Sequence, residues 1–440
     1  MSTHALPVTA IEARWVLPVE PAGILLEDHT VLVADGTIRA VLPTAAARAQ
    51  APAAERVALP EHVLLPGLVN LHTHAAMTLL RGLADDLPLM EWLKAHIWPA
   101  EIAHASDQFV EDGTLIACAE MIRGGVTCFN DMYFYPEAAA RAALQAGMRA
   151  AVGIIVIDFP TAYASDPQDY LAKGLATRDA FKHERLLTFC MAPHAPYTVS
   201  DRSLAQVLTL AEQLDVPIHL HLHETADEIA QERSCHGARP LQRLHALGIL
   251  SPNLIAVHAI HVDASEIELL AAHGCHVAHC PSSNLKLASG FAPVARYLDA
   301  GVNVGLGTDG AASNNRLDLM EEMRLAALLA KAVSGRAEAL PAHTAVRMAT
   351  IAGASALGLE RRLGSIVPGK EADLVAVNLS TLGMSPCFDP VSHLVYCAGR
   401  QDVTDVWVAG RRVLQAGSLT TLNEQELLVR ALRWQERLKE

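Results

Sequence analysis

An apolar run that ends in two histidines constrains the possible folds of this chain most strongly. Residues 63–71 are mostly apolar, and they lead directly into His72, Thr73 and His74. Side chains alternate between the two faces of a strand, so His72 and His74 point to the same side. Imidazole is a good ligand for zinc-like cations, and a catalytic metal site needs three protein ligands and one open position. The run therefore predicts a buried strand that presents two metal ligands at its tip.

The same arrangement of apolar strand, polar loop and helical stretch recurs between residues 64 and 356. The predicted strands are residues 63–71, 126–129, 148–157, 187–192, 217–222, 254–259, 276–280 and 302–307. Eight such units over roughly three hundred residues predict an α/β fold of the (β/α)8 TIM-barrel type, whose active site forms at the carboxyl ends of the strands. A doubly wound open sheet is the alternative, but no glycine-rich phosphate turn follows the first strand.

Both ends of the chain predict a second, smaller unit. Residues 31–38 have the short strand, Asp-Gly turn and short strand of a β-hairpin, and residues 372–377, 406–408 and 411–413 have the composition of strands. We therefore predict a small β-sandwich domain from residues 1–63 and 366–422, beside a barrel domain of residues 64–365. Residues 423–440 predict a closing charged helix with Asn423 as its N-cap.

Composition limits the classes of partner and compartment. The formal net charge of -14, with no basic stripe, argues against a nucleic acid partner. The eight cysteines form no CxxC pair, which is typical of reduced thiols in a cytoplasmic protein. Residues 1–7 lack the basic and apolar regions of a leader, and no apolar run is long enough to span a bilayer. We therefore expect a cytoplasmic protein with no membrane partner.

Histidine or aspartate follows several other predicted strands at the end where a barrel has its active site. The additional residues are His194 after the fourth strand, His219, His221, His223 and Glu224 at the fifth, His258 and His261 at the sixth, and Asp309 at the eighth. Each alone has an ordinary interpretation, such as a core histidine bonded to a carbonyl or a helix-capping aspartate. Together they indicate a metal site, although spacing does not decide which histidine of the fifth strand binds the metal.

A second cluster of potential ligands lies in residues 275–280, Cys-His-Val-Ala-His-Cys. This segment is a predicted strand, so neighbouring side chains point to opposite faces and cannot converge on one ion. We therefore interpret it as the ordinary seventh strand of the barrel. Ser282, Ser283 and Asn284, which follow it, are expected to line the pocket.

Taken together, these motifs resemble the amidohydrolase superfamily and, within it, the 5′-methylthioadenosine/S-adenosylhomocysteine deaminases. Besides Glu101, the matching segments are residues 66–74, 78–82, 91–93, 193–197, 221–225, 284–287 and 307–315. The His-x-His and Thr-Asp-Gly elements are typical of the superfamily. The Leu-Leu-Arg-Gly element at residues 79–82 and the Ala-Ser-Asn-Asn element at residues 312–315 are more specific to this branch.

The resemblance implies a role for each matching residue. It makes His72, His74, His221 and Asp309 the ligands of one divalent metal, with zinc as the first choice and iron or manganese as alternatives. Members with two metals usually bridge them with a lysine after the fourth strand, where this chain has His194.

The remaining roles implied by the resemblance concern the substrate and the protons. Glu224 matches a proton-transferring glutamate that also contacts the substrate, and His258 matches a histidine that orients water. Asp309 is expected to act with His258 on that water and to face the substrate. Glu101 matches an acid that binds ribose hydroxyls, and His194 matches a substrate contact. A homodimer is plausible for this family.

The activity implied by the resemblance is hydrolytic deamination of a small purine nucleoside. Members that accept S-adenosylhomocysteine are expected to hold its carboxylate with arginines after the third strand. Residues 153–163 contain no arginine, and they include Asp158, whose charge would repel a carboxylate. We therefore predict 5′-methylthioadenosine as the main substrate, adenosine as a weaker one and S-adenosylhomocysteine as a poor one. The alternatives are an aminohydrolase or chlorohydrolase for guanine-like or triazine rings, and a scaffold protein that has kept the barrel.

Overall fold

The computed structural model describes residues 8–439. Met1–Pro7, on which the expectation about a leader rests, and Glu440 lie outside this range. The strands in chain order are β1 (Val8–Val16), β2 (Leu26–Ala34), β3 (Thr37–Pro43), β4 (Glu55–Pro66), β5 (Leu68–Thr73), β6 (Val126–Asp131), β7 (Arg149–Val156), β8 (Leu187–Pro193), β9 (Ile218–Leu222), β10 (Leu254–His258), β11 (His276–His279), β12 (Asn303–Leu306), β13 (Leu374–Asn378), β14 (Val403–Val408), β15 (Arg411–Gln415) and β16 (Ser418–Leu419).

Most of the helices lie between the strands. They are α1 (Thr44–Gln50), α2 (Leu89–Trp92), α3 (Trp98–His104), α4 (Asp107–Arg123), α5 (Pro136–Ala146), α6 (Pro167–Phe181), α7 (Asp201–Leu214), α8 (Ala226–His236), α9 (Pro240–Ala246), α10 (Ala264–Ala272), α11 (Pro281–Lys286), α12 (Val294–Asp299), α13 (Ala311–Asn314), α14 (Leu319–Ser334), α15 (Ala342–Met348), α16 (Ile351–Ala356), α17 (Pro390–Tyr396) and α18 (Glu424–Arg437). Short 3-10 helices cover Ala75–Leu80, Leu382–Met384 and Arg400–Asp402, and a π-helix covers Leu93–Ile97. Across residues 8–439, no helix is long and apolar enough to cross a membrane.

Strands β5 to β12 form the predicted barrel, with each strand parallel to the next. Its interior is apolar at the amino end, where Val69, Leu71 and Val257 pack with Ala354 and Leu357. The N–H group of Val69 also donates to the Ala349 carbonyl (2.9 Å), and this hydrogen bond holds the segment before α16 against β5. Because these side chains fill the barrel interior at its amino end, the site is expected at the carboxyl ends of the strands.

Polar side chains join the first and last barrel strands. The amide of Asn70 donates to the Thr308 hydroxyl (2.8 Å) and accepts from the Thr308 N–H group (3.0 Å). Next to this pair, the Asp309 N–H group donates to the His72 carbonyl (3.0 Å). The contact between the first and last barrel strands therefore places Asp309 beside His72, although the two residues are far apart in the sequence.

The strands from both ends of the chain form a second, mixed sheet in the order β16-β15-β14-β13-β4-β1-β2-β3. Only β1 and β4 pair in parallel; the other neighbours are antiparallel. The predicted hairpin joins β2 to β3, and Asp35 and Gly36 at its turn have φ angles of 51° and 65°. Positive φ at both positions is typical of the type I′ turn that Asp-Gly favours.

The run at residues 63–71 is divided between the two sheets, although the sequence predicts one strand. Strand β4 ends at Pro66 in the mixed sheet, and β5 begins at Leu68 in the barrel. A Cβ atom at Gly67 would lie 2.1 Å from the Thr127 hydroxyl oxygen, so only glycine fits at this crossing. The run stays apolar because both of its parts are buried.

Helix α4 supports the segment that follows the two histidines of β5. A Cβ atom at Gly113 would lie 2.4 Å from the Ala76 carbonyl oxygen, so the helix packs directly on the 3-10 turn. The Thr78 hydroxyl donates to the Gly113 carbonyl (2.6 Å). Helix α18, capped by Asn423, binds the same helix through the Trp434 indole N–H and Asp112 (2.9 Å).

Candidate active site

Four potential ligand atoms converge at the carboxyl ends of β5, β9 and β12. Asp309 Oδ1 lies 3.3 Å from the Nε2 atoms of both His72 and His74. His221 Nε2 lies 3.3 Å from His72 Nε2. With Zn–N distances of about 2.0–2.1 Å, the donors of a tetrahedral zinc site lie about 3.3 Å apart, which is the value of the three distances that join these atoms. His72, His74 and Asp309 form one group whose ligand atoms lie within 4.8 Å of one another. His258 belongs to a second group, with His72 and His221, whose ligand atoms lie within 4.8 Å of one another.

The second ring nitrogen of each of these histidines has a partner. His74 Nδ1 donates to the Met132 carbonyl (2.5 Å), and His221 Nδ1 donates to the His194 carbonyl (2.8 Å). A carbonyl can only accept, so the hydrogen sits on Nδ1 and the lone pair of Nε2 faces the site. His72 Nδ1 lies 2.9 Å from His219 Nε2, which supports the third ring from below.

Burial sets the charge of the cluster. It lowers the pKa of His72 to about 4 and that of His221 well below its usual value, so these imidazoles are neutral. Burial opposes ionisation of Asp309, but the hydrogen bond with His72 and the electrostatic effect of the surrounding imidazoles outweigh it and hold its pKa well below the ordinary range. Neutral imidazoles around one carboxylate are the protonation states that a divalent cation needs.

Two serines, neither predicted to contact it, hold the Asp309 carboxylate. The hydroxyls of Ser283 and Ser313 donate to Oδ2 at 2.6 and 2.9 Å, and the Gly310 N–H group donates to Oδ1 at 2.7 Å. The serines come from different helices: Ser283 lies on α11, after β11, and Ser313 lies on α13, after β12. Ser283 lies in the segment that we expected to line the pocket, but no spacing pattern links it to an aspartate in another loop.

Glu224 lies on the loop after β9 with its carboxylate facing the same space. It is 6% exposed, and burial raises its pKa although His258 opposes the rise. Glu224 Oε2 lies 3.8 Å from His258 Nε2. The other nitrogen, His258 Nδ1, lies 2.8 Å from Asn284 Oδ1. A carboxyl group with a raised pKa thus lies beside an oriented imidazole.

A second buried glutamate fixes the loop that carries Glu224. The Glu228 carboxylate accepts from the N–H groups of His223 (3.0 Å) and Glu224 (2.7 Å). Our sequence reasoning missed this residue, although the sequence holds a signal for it. Thr225 and Glu228 have the Thr-x-x-Glu spacing of a capping box, and Thr225 caps α8 by accepting from the Glu228 N–H group.

The structure separates the three histidines of the fifth strand. His221 reaches the ligand cluster and His219 lies against His72, deeper in the barrel. His223 points elsewhere: its Nδ1 lies 2.9 Å from the His261 carbonyl, and its Nε2 accepts from the Leu241 N–H group (3.0 Å). The φ angle of 57° at His223 ends the strand alternation, which is why spacing alone does not predict its direction.

A largely apolar cavity opens above the cluster. Its apolar walls include Trp92, Ile97, Trp98, Ile102, Phe134, Ile155, Ile157 and Phe159. Glu101 and His194 line it together with the ligand residues, and burial raises the pKa of Glu101 to about 7 although the Tyr133 hydroxyl opposes the rise. Of the described residues that line this cavity, none is lysine or arginine.

Asp158 does not take the position that the sequence suggests. We expected its charge to face the substrate, but it is absent from the described cavity walls, and its carboxylate accepts from the Ser200 N–H group (3.0 Å). Ser200 is the N-cap of α7, so Asp158 fixes the start of that helix. The residues around it, Ile157 and Phe159, supply apolar surface to the cavity instead.

The remaining potential ligands stay outside the cluster. Strand β11 is buried along its length, and all eight cysteines are free thiols. Neither group of converging ligand atoms found in residues 8–439 includes a residue of segment 275–280. The interpretation of this segment as the seventh barrel strand is therefore confirmed.

Comparison with known sequences gives matches over nearly the whole chain. The model of the amidohydrolase family matches residues 63–413. A relative from Saccharophagus degradans, named 5-methylthioadenosine/S-adenosylhomocysteine deaminase, is 48% identical over 429 residues, which cover 98% of this chain and 96% of the relative. A relative of the same name from Thermodesulfovibrio yellowstonii is 42% identical over 431 residues, with 98% of each chain covered.

Comparison with solved structures gives the same fold. The crystal structure of an adenosine deaminase from Xanthomonas campestris with bound zinc superimposes with a TM-score of 0.97 at 50% identity, covering 98% of each chain. The atrazine chlorohydrolase of Arthrobacter aurescens, complexed with zinc, has a TM-score of 0.90 at 23% identity and covers 97% of this chain and 99% of its own. The second likeness establishes the fold alone.

Proposed function

Because the chain belongs to the amidohydrolase family, we propose that it is a metal-dependent hydrolase that converts 5′-methylthioadenosine to 5′-methylthioinosine and ammonia. The reaction breaks a C–N bond in a cyclic amidine. The observation that carries this proposal is the placement of Glu224 and His258 beside the four ligand residues, in one cavity that also contains Glu101. Relatives that cover 98% of this chain and are named deaminases support it.

His72, His74, His221 and Asp309 hold one divalent ion per chain, with zinc as the first choice. The distances of 3.3 Å between their donor atoms and the neutral state of the buried imidazoles support this assignment. When bound, such an ion supplies Lewis acidity that makes water acidic enough to react near neutral pH. Iron or manganese accepts the same donor set.

The protein residues manage the protons of the reaction. Glu224, whose pKa is raised by burial, donates a proton to N1 of the purine ring, so C6 becomes more electrophilic. His258 Nε2 and the Asp309 carboxylate orient the attacking water and take its proton. The proton taken from the water then passes to the amino group, which leaves C6 as ammonia. The oxygen of the water remains on the ring as a carbonyl, and its second proton returns to Glu224. His194 contacts the purine from the cavity wall.

The cavity walls favour a methylthio group over a charged amino-acid tail. Ile155, Ile157 and Phe159 offer apolar surface, which a thioether contacts at little desolvation cost. A bidentate arginine–carboxylate pair contributes about 1.5–3 kcal/mol, and the described lining has no cationic residue to form one. The cavity therefore suits 5′-methylthioadenosine.

We expect kcat/KM to be highest for 5′-methylthioadenosine, lower for adenosine, and at least about tenfold lower for S-adenosylhomocysteine. Adenosine should be the weaker substrate because it lacks the methylthio group that contacts the apolar wall. S-adenosylhomocysteine should be poor because the described cavity lining has no arginine or lysine to pair with its carboxylate. Ammonia release at several concentrations of each substrate measures the three constants. Turnover of S-adenosylhomocysteine as good as that of 5′-methylthioadenosine would show that this substrate assignment is wrong.

Replacement of Glu101 by alanine is expected to raise KM for nucleosides by about tenfold or more, because a carboxylate can accept from both ribose hydroxyls. The inhibition constant of free adenine, which has no ribose, is expected to stay unchanged. Since the pKa of Glu101 is about 7, KM of the unmodified protein should also fall as its carboxylate ionises from about pH 6 to about pH 8. Glu91→Ala, an exposed position on α2, is the matched control. An unchanged KM for nucleosides would remove Glu101 from the ribose site.

A further inference from the structure

The second histidine of β11 is a buried polar group that the proposed reaction does not use. His279 is 3% exposed, and its Nδ1 atom has no hydrogen-bond partner within the described part of the chain. Its ring is neutral because burial lowers its pKa to about 3. A buried ring nitrogen without a partner costs free energy, so the fold must satisfy it in another way or retain it for a reason.

Asn284, which lines the same cavity as His279, contains a second unpartnered atom. Its Oδ1 atom lies 2.8 Å from His258 Nδ1, while its Nδ2 atom has no partner among residues 8–439. The side chain is 2% exposed. An amide nitrogen has two hydrogens to donate, and neither has an acceptor here. The side chain of Asn284 is therefore held only through its Oδ1 atom.

The two residues line the same small cavity, together with Leu285, Phe291 and Ala330. The centre of a water molecule can lie within about 10 Å³ of this cavity, which gives room for a single water. Ser289, adjacent to the cavity-lining Gly290, has an unpartnered hydroxyl that is also buried. A site with room for one water and two or three polar partners is the kind that retains an ordered water in folded proteins.

We propose that one buried water molecule bridges Asn284 Nδ2 and His279 Nδ1, and that His279 is thereby a positioning residue for His258. The water accepts a hydrogen bond from the amide and donates one to the imidazole. This rests on the proposed function, because His258 is the residue that orients the attacking water there.

The bridge fixes which end of the Asn284 amide faces His258. With Oδ1 toward His258, Nδ1 of that ring carries the hydrogen and Nε2 is free to accept a proton. If the amide rotated by half a turn, its NH2 group would face Nδ1, and the hydrogen of His258 would move to Nε2. His258 would then be unable to take a proton at the atom that faces the cavity.

The test combines a crystal structure of the metal-loaded protein with three variants. In the unmodified protein, we expect density for one water within hydrogen-bond distance of Asn284 Nδ2 and His279 Nδ1. His279→Leu should lower kcat for 5′-methylthioadenosine by about tenfold, with KM and metal content unchanged. His279→Gln, which keeps a polar group for the water, should recover most of this loss. His276→Leu removes a buried histidine from the same strand and should retain kcat.

Two results would overturn the proposal. One is a map of the unmodified protein without a water between the two atoms, a result that stands even if His279→Leu does not fold. The other is a kcat of His279→Leu equal to that of the unmodified protein. Failure of the proposed function is distinguishable, since no variant would then deaminate a nucleoside while the water could still be seen in the map.

Discussion

Glu224→Gln is expected to lower kcat for 5′-methylthioadenosine by about 10³-fold, while the bound metal and the fold are retained. The glutamine side chain has the same shape and keeps its place beside His258, but it has no acidic proton to give to the purine ring. Proton transfer by a positioned side chain accelerates enzymatic reactions by about 10²- to 10⁴-fold, and the expected decrease in kcat lies in this range. Because Glu224 is not one of the proposed metal ligands, its replacement should lower turnover without lowering the metal content.

Steady-state ammonia release and elemental analysis of the purified variant measure both properties. Asp227→Asn is the matched control, because Asp227 is an exposed acid three residues along the chain on α8. The control should keep both kcat and metal. A kcat of Glu224→Gln close to that of the control would assign the proton transfer to another residue.

His72→Ala and Asp309→Ala are each expected to empty the metal site and to abolish turnover. Each change removes one of four ligands and also removes buried hydrogen bonds: that of His72 with His219, or those of Asp309 with Ser283 and Ser313. Loss of a structural partner of a metal site costs about 10- to 100-fold in affinity, and loss of a ligand itself should cost more. The apparent melting temperature should also fall, because a bound ion stabilises only the folded state.

The metal content after dialysis measures the first effect directly. The unmodified protein and the exposed control His183→Ala should keep one ion per chain, and the two ligand variants should keep almost none. Adding zinc to the ligand variants should leave them inactive, whereas the unmodified protein stripped by a chelator should recover. Retention of a full ion by either ligand variant would exclude that residue from the ligand set.

Sequence patterns predicted the barrel well because each barrel strand is buried on both faces. Such strands are continuous apolar runs, and each run has polar residues at its carboxyl end. The pattern could not show that residues 63–71 belong to two sheets, because Val63 and Leu68 are buried to the same degree on either side of Gly67. What divides the run is contact with Thr127, which lies far along the chain.

The candidate site was predictable where one segment supplies several groups. His72 and His74 follow from strand alternation, and their position next to Asp309 follows from barrel closure. The direction of His223 depends on one backbone angle, which spacing does not reveal. Ser283, which holds Asp309, and Asn284, which holds His258, lie on α11 and meet these residues only in the folded structure, so their roles have no pattern in the sequence.

The most direct test of this account is ammonia release by the zinc-loaded protein from a panel of adenosine derivatives, free purines and triazines. The account predicts that 5′-methylthioadenosine gives one ammonia and one 5′-methylthioinosine per turnover, that adenosine follows, and that chelation of the metal stops the reaction. A protein that releases no ammonia from any adenosine derivative, but acts on guanine or a triazine, would contradict it.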